Sequence, residues 1–338
     1  MLEANADLGR RNTLRLPARA QWFAQPESDV ELTALLQDVR YQSLPRIVIG
    51  DGSNLLLRAD LDALVIRPAM RGMHIVEEDD THVLIEVMAG ENWDELVAET
   101  VRRGWQGLEN LSLIPGAVGA APYQNIGAYG VELADVFDSL AALSLTNGQQ
   151  REFSRAECCF AYRDSFFKSH EPNRWVITRV RLRLNKSPSL VLGYADLRQR
   201  FEALPAEQQN VAGVRELVCA LRRSKLPDPQ QLPNAGSFFK NPVIAAQQFR
   251  QLQQQFPGIV GYPQDNGDVK VAAGWLIEQA GWKGKREGDL GMHAQQALVL
   301  VNYGAATGEQ VKAFAERVRA SVREKFSVVL EQEPVVLP

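Results

Sequence analysis

The sequence predicts a mixed α/β protein built from more than one domain. Its 338 residues exceed the roughly 150 residues of a typical single domain. Apolar residues recur at helical spacing in some segments and alternate with polar residues in others, which is typical of helices and strands in one chain. One glycine-rich loop follows an apolar strand but lacks the third glycine and the following helix of a Rossmann unit, so we do not expect that fold.

Composition and charge exclude several classes of protein. The chain has 37 basic and 41 acidic residues, and its net charge of −4 argues against broad binding to nucleic acid or an anionic membrane. No apolar run approaches the ~18 residues of a membrane helix, and the first residues lack the apolar core of a signal peptide. Three cysteines form no disulfide framework and four histidines are scattered, which predicts a cytoplasmic protein without a metal site.

The N-terminal part of the chain combines one helix with short strands. A helix is predicted over 29–39 by the helical spacing of Val30, Leu35, Leu36 and Val39. Two short apolar runs, 46–49 and 55–57, predict strands on either side of a glycine-containing loop.

The middle of the chain has the clearest periodic patterns. Residues 82–88 predict a strand, and a helix that begins near Asn92 should bury Trp93. Residues 175–184 alternate apolar residues with arginine, which predicts a half-buried strand.

A change of pattern after Leu184 predicts a domain boundary, and we divide the chain into three α/β regions, 1–70, 71–205 and 206–338. The predicted C-terminal elements are a helix that ends before Pro227, helices near 269–281 and 309–325, and a final strand over 328–336.

The loop Gly50-Asp51-Gly52-Ser53-Asn54 is the first candidate binding element. A tight turn directly after a strand can present consecutive backbone N–H groups to a phosphate. Taken alone, these five residues are more typical of a simple glycine hairpin, and both interpretations stay open.

The segment from Pro115 to Gly130 strengthens the binding interpretation. Its glycines allow close approach of the main chain, and Gln124 and Asn125 supply amide groups. A large planar cofactor with a diphosphate requires such a surface. A purely structural glycine-rich loop is the alternative.

Three further groups of residues are candidates for chemistry. Ser237 lies in Asn-Ala-Gly-Ser-Phe-Phe-Lys-Asn-Pro, a polar setting that lacks the G-x-S-x-G elbow of serine hydrolases. Arg163 stands between a tyrosine and an aspartate, and a surface ion pair is its simpler interpretation. Glu331 and Glu333 share one face of the predicted final strand, so their spacing does not distinguish them.

Together these segments resemble the UDP-N-acetylenolpyruvoylglucosamine reductases (UDP-N-acetylmuramate dehydrogenases), flavoenzymes of bacterial peptidoglycan precursor synthesis. The resemblance covers nearly the whole chain. It rests on IGDGSNLLL (49–57), GLENLSLIPGAVGAAPYQNIGAYG (107–130), AYRDSFFK (161–168), NAGSFFKNP (234–242) and LEQEP (330–334).

The resemblance implies an FAD-binding fold of the vanillyl-alcohol-oxidase (PCMH) type, divided between subdomains 1–70 and 71–205. A C-terminal α/β substrate-binding domain then covers 206–338, and its last few residues are expected to return to the first subdomain. The implied reaction reduces the enolpyruvyl ether of UDP-N-acetylglucosamine enolpyruvate to a lactyl ether with NADPH. Hydride passes through flavin N5 to the β-carbon, and a proton then reaches the α-carbon. We expect a monomer that binds neither nucleic acid nor membrane.

The resemblance also implies roles for individual residues. Ser237 matches the proton donor, Arg163 the arginine that stabilises the enolate, and Glu333 the assisting acid, chosen over Glu331 by its spacing from Leu330. The implied FAD contacts are Gly50, Gly52, Ser53, Asn54, Pro115, Gly116, Gly119, Gln124, Asn125, Gly127, Tyr129 and Gly130. The implied substrate contacts are Tyr194, Lys225, Asn241, Tyr262, Lys270 and Gln296. Tyr194 indicates the branch of the family that has a loop tyrosine over the nucleotide.

Two other functions are alternatives to this one. Another FAD-dependent oxidase or dehydrogenase of the same fold explains segments 49–57 and 107–130 but gives no role to Ser237 or the terminal glutamate. A flavin-binding protein without catalysis leaves the polar residues of all three candidate groups without a role.

Overall fold

The computed structural model describes residues 2–338 and groups them into two compact units. The first unit contains residues 2–6, 20–51 and 62–222, and the second contains 7–19, 52–61 and 223–338. The chain therefore passes between the units several times. The predicted boundaries at residues 70 and 205 concern a different division of the chain and stay a prediction.

Helices and strands are distributed over both units. The α-helices are α1 (Asp29–Gln37), α2 (Trp93–Arg102), α3 (Ala195–Glu202), α4 (Val211–Lys225), α5 (Ala246–Gln255), α6 (Ala273–Gln279) and α7 (Gly308–Phe326). The strands are β1 (Leu2–Asp7), β2 (Arg19–Ala24), β3 (Arg46–Val48), β4 (Leu55–Leu57), β5 (Leu61–Ile66), β6 (Met73–Glu78), β7 (His82–Met88), β8 (Gly127–Ala128), β9 (Val131–Glu132), β10 (Phe137–Ser144), β11 (Gln150–Ser154), β12 (Trp175–Asn185), β13 (Asn234–Ser237), β14 (Val243–Ile244), β15 (Gly261–Pro263), β16 (Val269–Val271), β17 (Arg286–Glu287), β18 (Leu290–Met292), β19 (Val299–Asn302) and β20 (Val335–Leu337). Over residues 2–338, every helix falls short of the length or apolar composition that a transmembrane segment requires.

The first unit contains two sheets and a short hairpin. Strands β1-β2-β5-β3 form a four-stranded sheet in which β3 and β5 are parallel. Strands β11-β10-β12-β7-β6 form a five-stranded antiparallel sheet, and β8 pairs with β9. This arrangement confirms the mixed α/β prediction for this part of the chain.

Helix α2 packs one face into the core of the first unit, as predicted. The side chain of Asn92 caps the helix by accepting a hydrogen bond of 3.0 Å from the amide of Glu95. Trp93 is buried, and its indole N–H donates to the carbonyl oxygen of Leu111. The start of α2 is thus tied to the segment that follows residue 107.

Strand β12 shows the predicted alternation. Val180, Leu182 and Leu184 are fully buried, whereas the arginines between them contact acidic side chains. Burying one face of a strand fixes its register, because a slip of one residue would move every apolar side chain to the other face.

The second unit contains a four-stranded sheet, a three-stranded sheet and one parallel pair. Their strand orders are β13-β19-β18-β17, β14-β16-β15 and β20-β4. In the parallel pair, Val335–Leu337 lies beside Leu55–Leu57, so the end of the chain pairs with an early segment.

Helix α1 forms where it was predicted, but only part of the predicted apolar spacing packs into the core. Of the predicted residues, Leu36 is buried and Leu35 packs against the core, whereas Val30 and Val39 are 79% and 78% exposed. The residues that pack into the core are Leu32 and Leu36, which are one helical turn apart.

Two predicted elements in the C-terminal part are too long. The helix expected over 269–281 is helical only at Ala273–Gln279, because Val269–Val271 pairs with strands on both sides. The strand expected over 328–336 is confined to Val335–Leu337. Upstream of it, the carbonyl oxygen of Leu330 accepts a hydrogen bond from the Arg319 side chain instead of a strand partner.

Candidate active site

The loop from Gly50 to Asn54 has three successive amide groups that take no part in internal hydrogen bonding. Among residues 2–338, the amides of Gly50, Asp51 and Gly52 donate no hydrogen bond. Gly52 has φ of +69°, and a Cβ at this position would overlap the carbonyl oxygen of Arg11. Only glycine fits there. Successive outward N–H groups in a tight turn form a concave surface that binds anions.

The one carboxylate of this loop is paired. Nε of Arg67 donates to Oδ1 of Asp51 at 3.1 Å, and Nη2 contacts the same oxygen. Both side chains are about one-third exposed. The guanidinium offsets the negative charge of Asp51 beside amides that suit an anion.

The second half of the loop is tied to neighbouring segments of its own unit. The amide of Thr13 donates to the carbonyl oxygen of Gly52, and its hydroxyl donates to that of Ser53. The side-chain amide of Asn54 donates to the carbonyl oxygen of Glu333 at 3.3 Å. These bonds fix the backbone of Gly52 and Ser53 and the side chain of Asn54, which are three predicted FAD contacts.

The two glycine-rich segments meet within the first unit. A Cβ on Gly50 would lie 2.9 Å from Cβ of Ala120, and a Cβ on Gly119 would lie 2.5 Å from Cβ of Ala89. The amide of Gly119 donates to the carbonyl oxygen of Ala89. Glycine at positions 50 and 119 therefore lets three chain segments approach closely. Among the other predicted FAD contacts in this segment, Pro115 is exposed, and Gly116 and Gln124 are half-buried.

Asn125 has its side chain directed into the protein. It is 1% exposed, its amide nitrogen donates to Glu132 and Ala161, and its oxygen accepts from the amide of Ala134. These bonds hold the turn that precedes Gly127. Any contact of Asn125 with a ligand therefore depends on its backbone.

Tyr129 and Gly130 form the turn of the β8–β9 hairpin. Their φ angles are +50° and +86°, the combination of a two-residue type I′ turn. The ring of Tyr129 packs edge-on against that of Tyr194, with ring centres 5.1 Å apart. Tyr194 precedes helix α3 and is 39% exposed.

Arg163 lies against the same hairpin. Its Nη2 donates to the carbonyl oxygen of Gly127 at 2.9 Å, which brings this predicted catalytic residue to a predicted FAD contact. Its φ of +55° is unusual for a residue with a side chain, and Nζ of Lys168 binds its carbonyl oxygen. A strained backbone held by a specific contact is typical of functional positions.

Arg222 lies on helix α4, near Arg163, and was not among the residues predicted from the sequence. Burial and the positive charge of Arg163 lower the pKa of Arg222, while Tyr129 opposes this effect. Its Nε is enclosed and has no hydrogen-bond partner among residues 2–338. The sequence could have indicated it, because Arg222 follows Val218 by four residues and therefore lies on the buried, mostly apolar face of the helix.

In the second unit, Ser237 ends a strand that is organised by Asn234. The side chain of Asn234 is 3% exposed, donates to the carbonyl oxygens of Pro227 and Leu232, and accepts from the amide of Gly236. Ser237 is half-buried and pairs with Val299 across the sheet. The residues after it, Phe238 and Phe239, are fully buried and anchor the segment.

The terminal glutamates have different surroundings. The amide of Glu333 donates to the carbonyl oxygen of Phe238 at 2.8 Å, and Glu333 is half-buried. The side chain of Glu331 is 73% exposed and forms an ion pair with Lys240 at 3.2 Å. Only Glu333 is thus bonded to the residue that follows Ser237.

Two predicted substrate contacts meet at the start of helix α6. The side-chain oxygen of Asn241 accepts a hydrogen bond of 2.9 Å from the amide of Ala273. A Cβ on Gly274 would lie 3.3 Å from the side-chain oxygen of Gln296, so the two side chains reach neighbouring residues of one helix.

Two other predicted substrate contacts, Lys270 and Tyr262, are neighbours in the three-stranded sheet. Lys270 on β16 pairs with Tyr262 on β15 and with Val243 on β14, which places the three side chains in a row on one face. Tyr262 and Val243 are both 48% exposed. Lys225, the remaining predicted substrate contact, is the last residue of α4 and is half-buried.

Comparisons with known proteins identify the family. Residues 228–337 match the C-terminal domain of UDP-N-acetylenolpyruvoylglucosamine reductase, and residues 20–154 match an FAD binding domain. The reductase of Pseudomonas aeruginosa is 54% identical over 333 residues, with 98% of each chain covered. The chain belongs to the UDP-N-acetylenolpyruvoylglucosamine reductase family.

Other members of the family agree with this result. The reductase of Alcanivorax borkumensis is 54% identical over 334 residues, which cover 99% of this chain and 96% of the relative. The crystal structure of the reductase from Thermus caldophilus has a TM-score of 0.68 and 26% identity, and covers 100% of this chain and 98% of its own. The chain is therefore an FAD-dependent UDP-N-acetylenolpyruvoylglucosamine reductase of peptidoglycan precursor synthesis, with a PCMH-type FAD-binding part. The alternatives of another flavin oxidase and of a flavin protein without catalysis are set aside.

Proposed function

We propose that this reductase uses NADPH to reduce UDP-N-acetylglucosamine enolpyruvate to UDP-N-acetylmuramate, with Ser237, Arg163 and Glu333 as its catalytic residues. The observation that carries the proposal is the hydrogen bond from the amide of Glu333 to the carbonyl oxygen of Phe238, because it joins the terminal acid to the segment of Ser237.

The chain's own residues fit an FAD molecule. The unbonded amides of Gly50, Asp51 and Gly52 suit a diphosphate, and the close contact of Gly50 with Ala120 supports a second wall from residues 115–130. Bound FAD supplies the hydride chemistry, which no side chain of the protein offers. The proposed contacts are Gly50, Gly52, Ser53, Asn54, Pro115, Gly116, Gly119, Gln124, Asn125, Gly127, Tyr129 and Gly130.

Ser237 is proposed to supply the proton of the reaction. Hydride addition to the β-carbon leaves a carbanion conjugated to the carboxylate, and the Oγ–H bond of Ser237 breaks as the new C–H bond forms at the α-carbon. A hydroxyl is a weak acid, but an enolate carbon is a strong base, so the transfer is downhill. Glu333 assists this protonation as an acid.

Arg163 is proposed to stabilise the charge that grows on the substrate carboxylate. A fixed guanidinium favours the transition state over the ground state because negative charge increases during hydride addition. Arg222 carries a second positive charge toward the same region of the first unit. An anion that lies near two guanidinium groups offsets their mutual repulsion, and the substrate carboxylate is such an anion.

The remaining predicted contacts are proposed to hold the nucleotide. Lys225 and Lys270 are suited to the diphosphate by charge, and the exposed ring of Tyr262 is suited to a flat base. Tyr194, Asn241 and Gln296 complete the set. We further propose a cytoplasmic monomer that binds neither nucleic acid nor membrane, which is supported by three free cysteines and a net charge of −4.

The substitution Ser237→Ala tests the proposal. Under anaerobic conditions, NADPH should bleach the bound flavin at a normal rate, whereas its re-oxidation by substrate should slow by about 10²–10⁴-fold, the usual contribution of a general acid. Stopped-flow absorbance measures both half-reactions. Ser43→Ala, at an exposed turn, is the control and should leave both rates unchanged. Equal losses in the two half-reactions of the Ser237 variant would contradict the proposed role.

A further inference from the structure

A single buried amide holds two loops of the first unit together. Nδ2 of Asn110 donates to the carbonyl oxygen of Tyr129 and to that of Val191, each at 2.9 Å. Asn110 is fully buried, and its Oδ1 is enclosed without a hydrogen-bond partner among residues 2–338. Both N–H groups of this side chain are thus used to join backbone segments that are 62 residues apart, at positions 129 and 191.

The chain segment that contains Asn110 is itself attached to helix α2. The indole N–H of Trp93 donates to the carbonyl oxygen of Leu111, and Oδ1 of Asp94 accepts from the amide of Leu113 at 2.7 Å. Arg215 forms a two-point ion pair with the same carboxylate, at 2.7 and 3.1 Å. Asn110 therefore projects from a rigid segment.

The segment that Asn110 holds carries Tyr194. Residues 186–194 have no regular secondary structure, and most of them are exposed. Besides the bond at Val191, the amide of Ser189 donates to the side chain of Gln106. The ring of Tyr194 then meets the ring of Tyr129, whose carbonyl oxygen is the other acceptor of Asn110.

We infer that Asn110 is a positioning residue: it restrains the segment before Tyr194 and so determines the position of the Tyr194 ring when the substrate binds. The inference rests on the proposed contact of Tyr194 with the substrate. An exposed segment of nine residues pays a large entropy cost if it must be ordered on binding. Fixing Val191 to the Tyr129 turn removes part of this cost before the substrate arrives.

The substitution Asn110→Asp tests the inference, because it keeps the shape and replaces both donors by an oxygen that faces two carbonyl oxygens. We expect hydrogen exchange of the Ser189 amide, which donates to Gln106 in this segment, to become at least about tenfold faster, as the loss of more than 1.4 kcal/mol of local stability implies. The KM for the UDP substrate should rise by about the same factor. The rate of flavin reduction by NADPH should not change, although a general structural defect would lower it.

Two further variants make the test decisive. Asn147→Asp, in an exposed turn of the same unit, loses a comparable side-chain hydrogen bond and should change neither exchange nor KM. Asn110→Leu removes both donors without adding charge and replaces Asn110→Asp if that variant does not fold. Unchanged exchange of the Ser189 amide would overturn the inference, as would faster exchange with an unchanged KM. Tyr194→Ala separates the two proposals: if it leaves KM unchanged, the contact of Tyr194 with the substrate is wrong, while the exchange result for Asn110 still stands.

Discussion

The amide of Glu333 donates a hydrogen bond of 2.8 Å to the carbonyl oxygen of Phe238. Phe238 is fully buried and follows Ser237 directly, so its carbonyl is a fixed acceptor. The end of the chain is held on its other side by the bond from Asn54 to the carbonyl oxygen of Glu333. A residue with backbone bonds on both sides has little freedom, which suits the acid role that is proposed for Glu333.

Replacement of each terminal glutamate by glutamine should have very different effects. Glu333→Gln keeps the backbone bonds and removes the acid, so the rate of flavin re-oxidation by substrate should fall by about 10²–10⁴-fold. Glu331→Gln is the matched control, because this side chain is 73% exposed and only pairs with Lys240. Its loss should change the rate less than about threefold, since exposed ion pairs contribute little. Stopped-flow absorbance measures both, and similar rates in the two variants would show that Glu333 has no catalytic role.

The pair of Asp51 with Arg67 leads to a prediction about FAD affinity. Without the guanidinium, the carboxylate of Asp51 would stand unpaired beside amides that are proposed to hold a diphosphate. Arg67→Ala should therefore raise the Kd for FAD by about tenfold, which corresponds to about 1.4 kcal/mol.

The double variant supplies the control for that prediction. Asp51→Asn removes the carboxylate, so Arg67→Ala in this background should have a much smaller effect on the Kd. Titration of the apoprotein with FAD, followed by flavin fluorescence, gives the four dissociation constants. An equal effect of Arg67→Ala in both backgrounds would mean that Arg67 acts independently of Asp51.

The parts of the fold that sequence could predict are those determined by local contacts. The cap at Asn92 and the buried ring of Trp93 depend on residues within one helical turn, and the alternation in 175–184 repeats the period of a single strand. The strand at Val269–Val271 was missed because its partners come from other segments, and a short apolar run does not reveal whether such partners exist.

The residues of the candidate site were predicted from motifs rather than from periodicity, and their roles stay a prediction. Ser237 and Glu333 are 96 residues apart in the chain, as their numbers show, and only the structure reveals that Glu333 bonds to Phe238. Arg222 and Asn110 were missed for a related reason. A charged or polar residue in an apolar pattern is a signal, but the partner that explains it is distant in sequence.

Glu109 provides a prediction about pH and stability. It is 1% exposed, and burial raises the pKa of its carboxyl group above the ordinary value, although the amide of Gly107 partly offsets this by donating to it at 2.6 Å. The unfolded chain loses this proton near the ordinary pKa, whereas the folded protein holds it to higher pH. Between the two values the native state binds more protons, so Glu109 lowers the free energy of unfolding as the pH rises through that window.

Comparison of Glu109→Gln with the unmodified protein isolates this effect from all other titrations. The difference in Tm, variant minus unmodified, should become more positive from pH 4 to pH 8, because glutamine keeps an acceptor for Gly107 and carries no charge. Glu99→Gln is the control of opposite sign. The guanidinium groups of Arg102 and Arg103 lower the pKa of Glu99 to about 2. The stabilisation that Glu99 gives the folded state is therefore present above the ordinary pKa of a glutamate and is lost as the pH falls toward 2. That difference in Tm should become slightly more negative from pH 4 to pH 8, and remain small because the pair is exposed. Calorimetry measures both differences in Tm. If the difference between Glu109→Gln and the unmodified protein does not change with pH, the carboxyl group of Glu109 titrates normally in the folded protein.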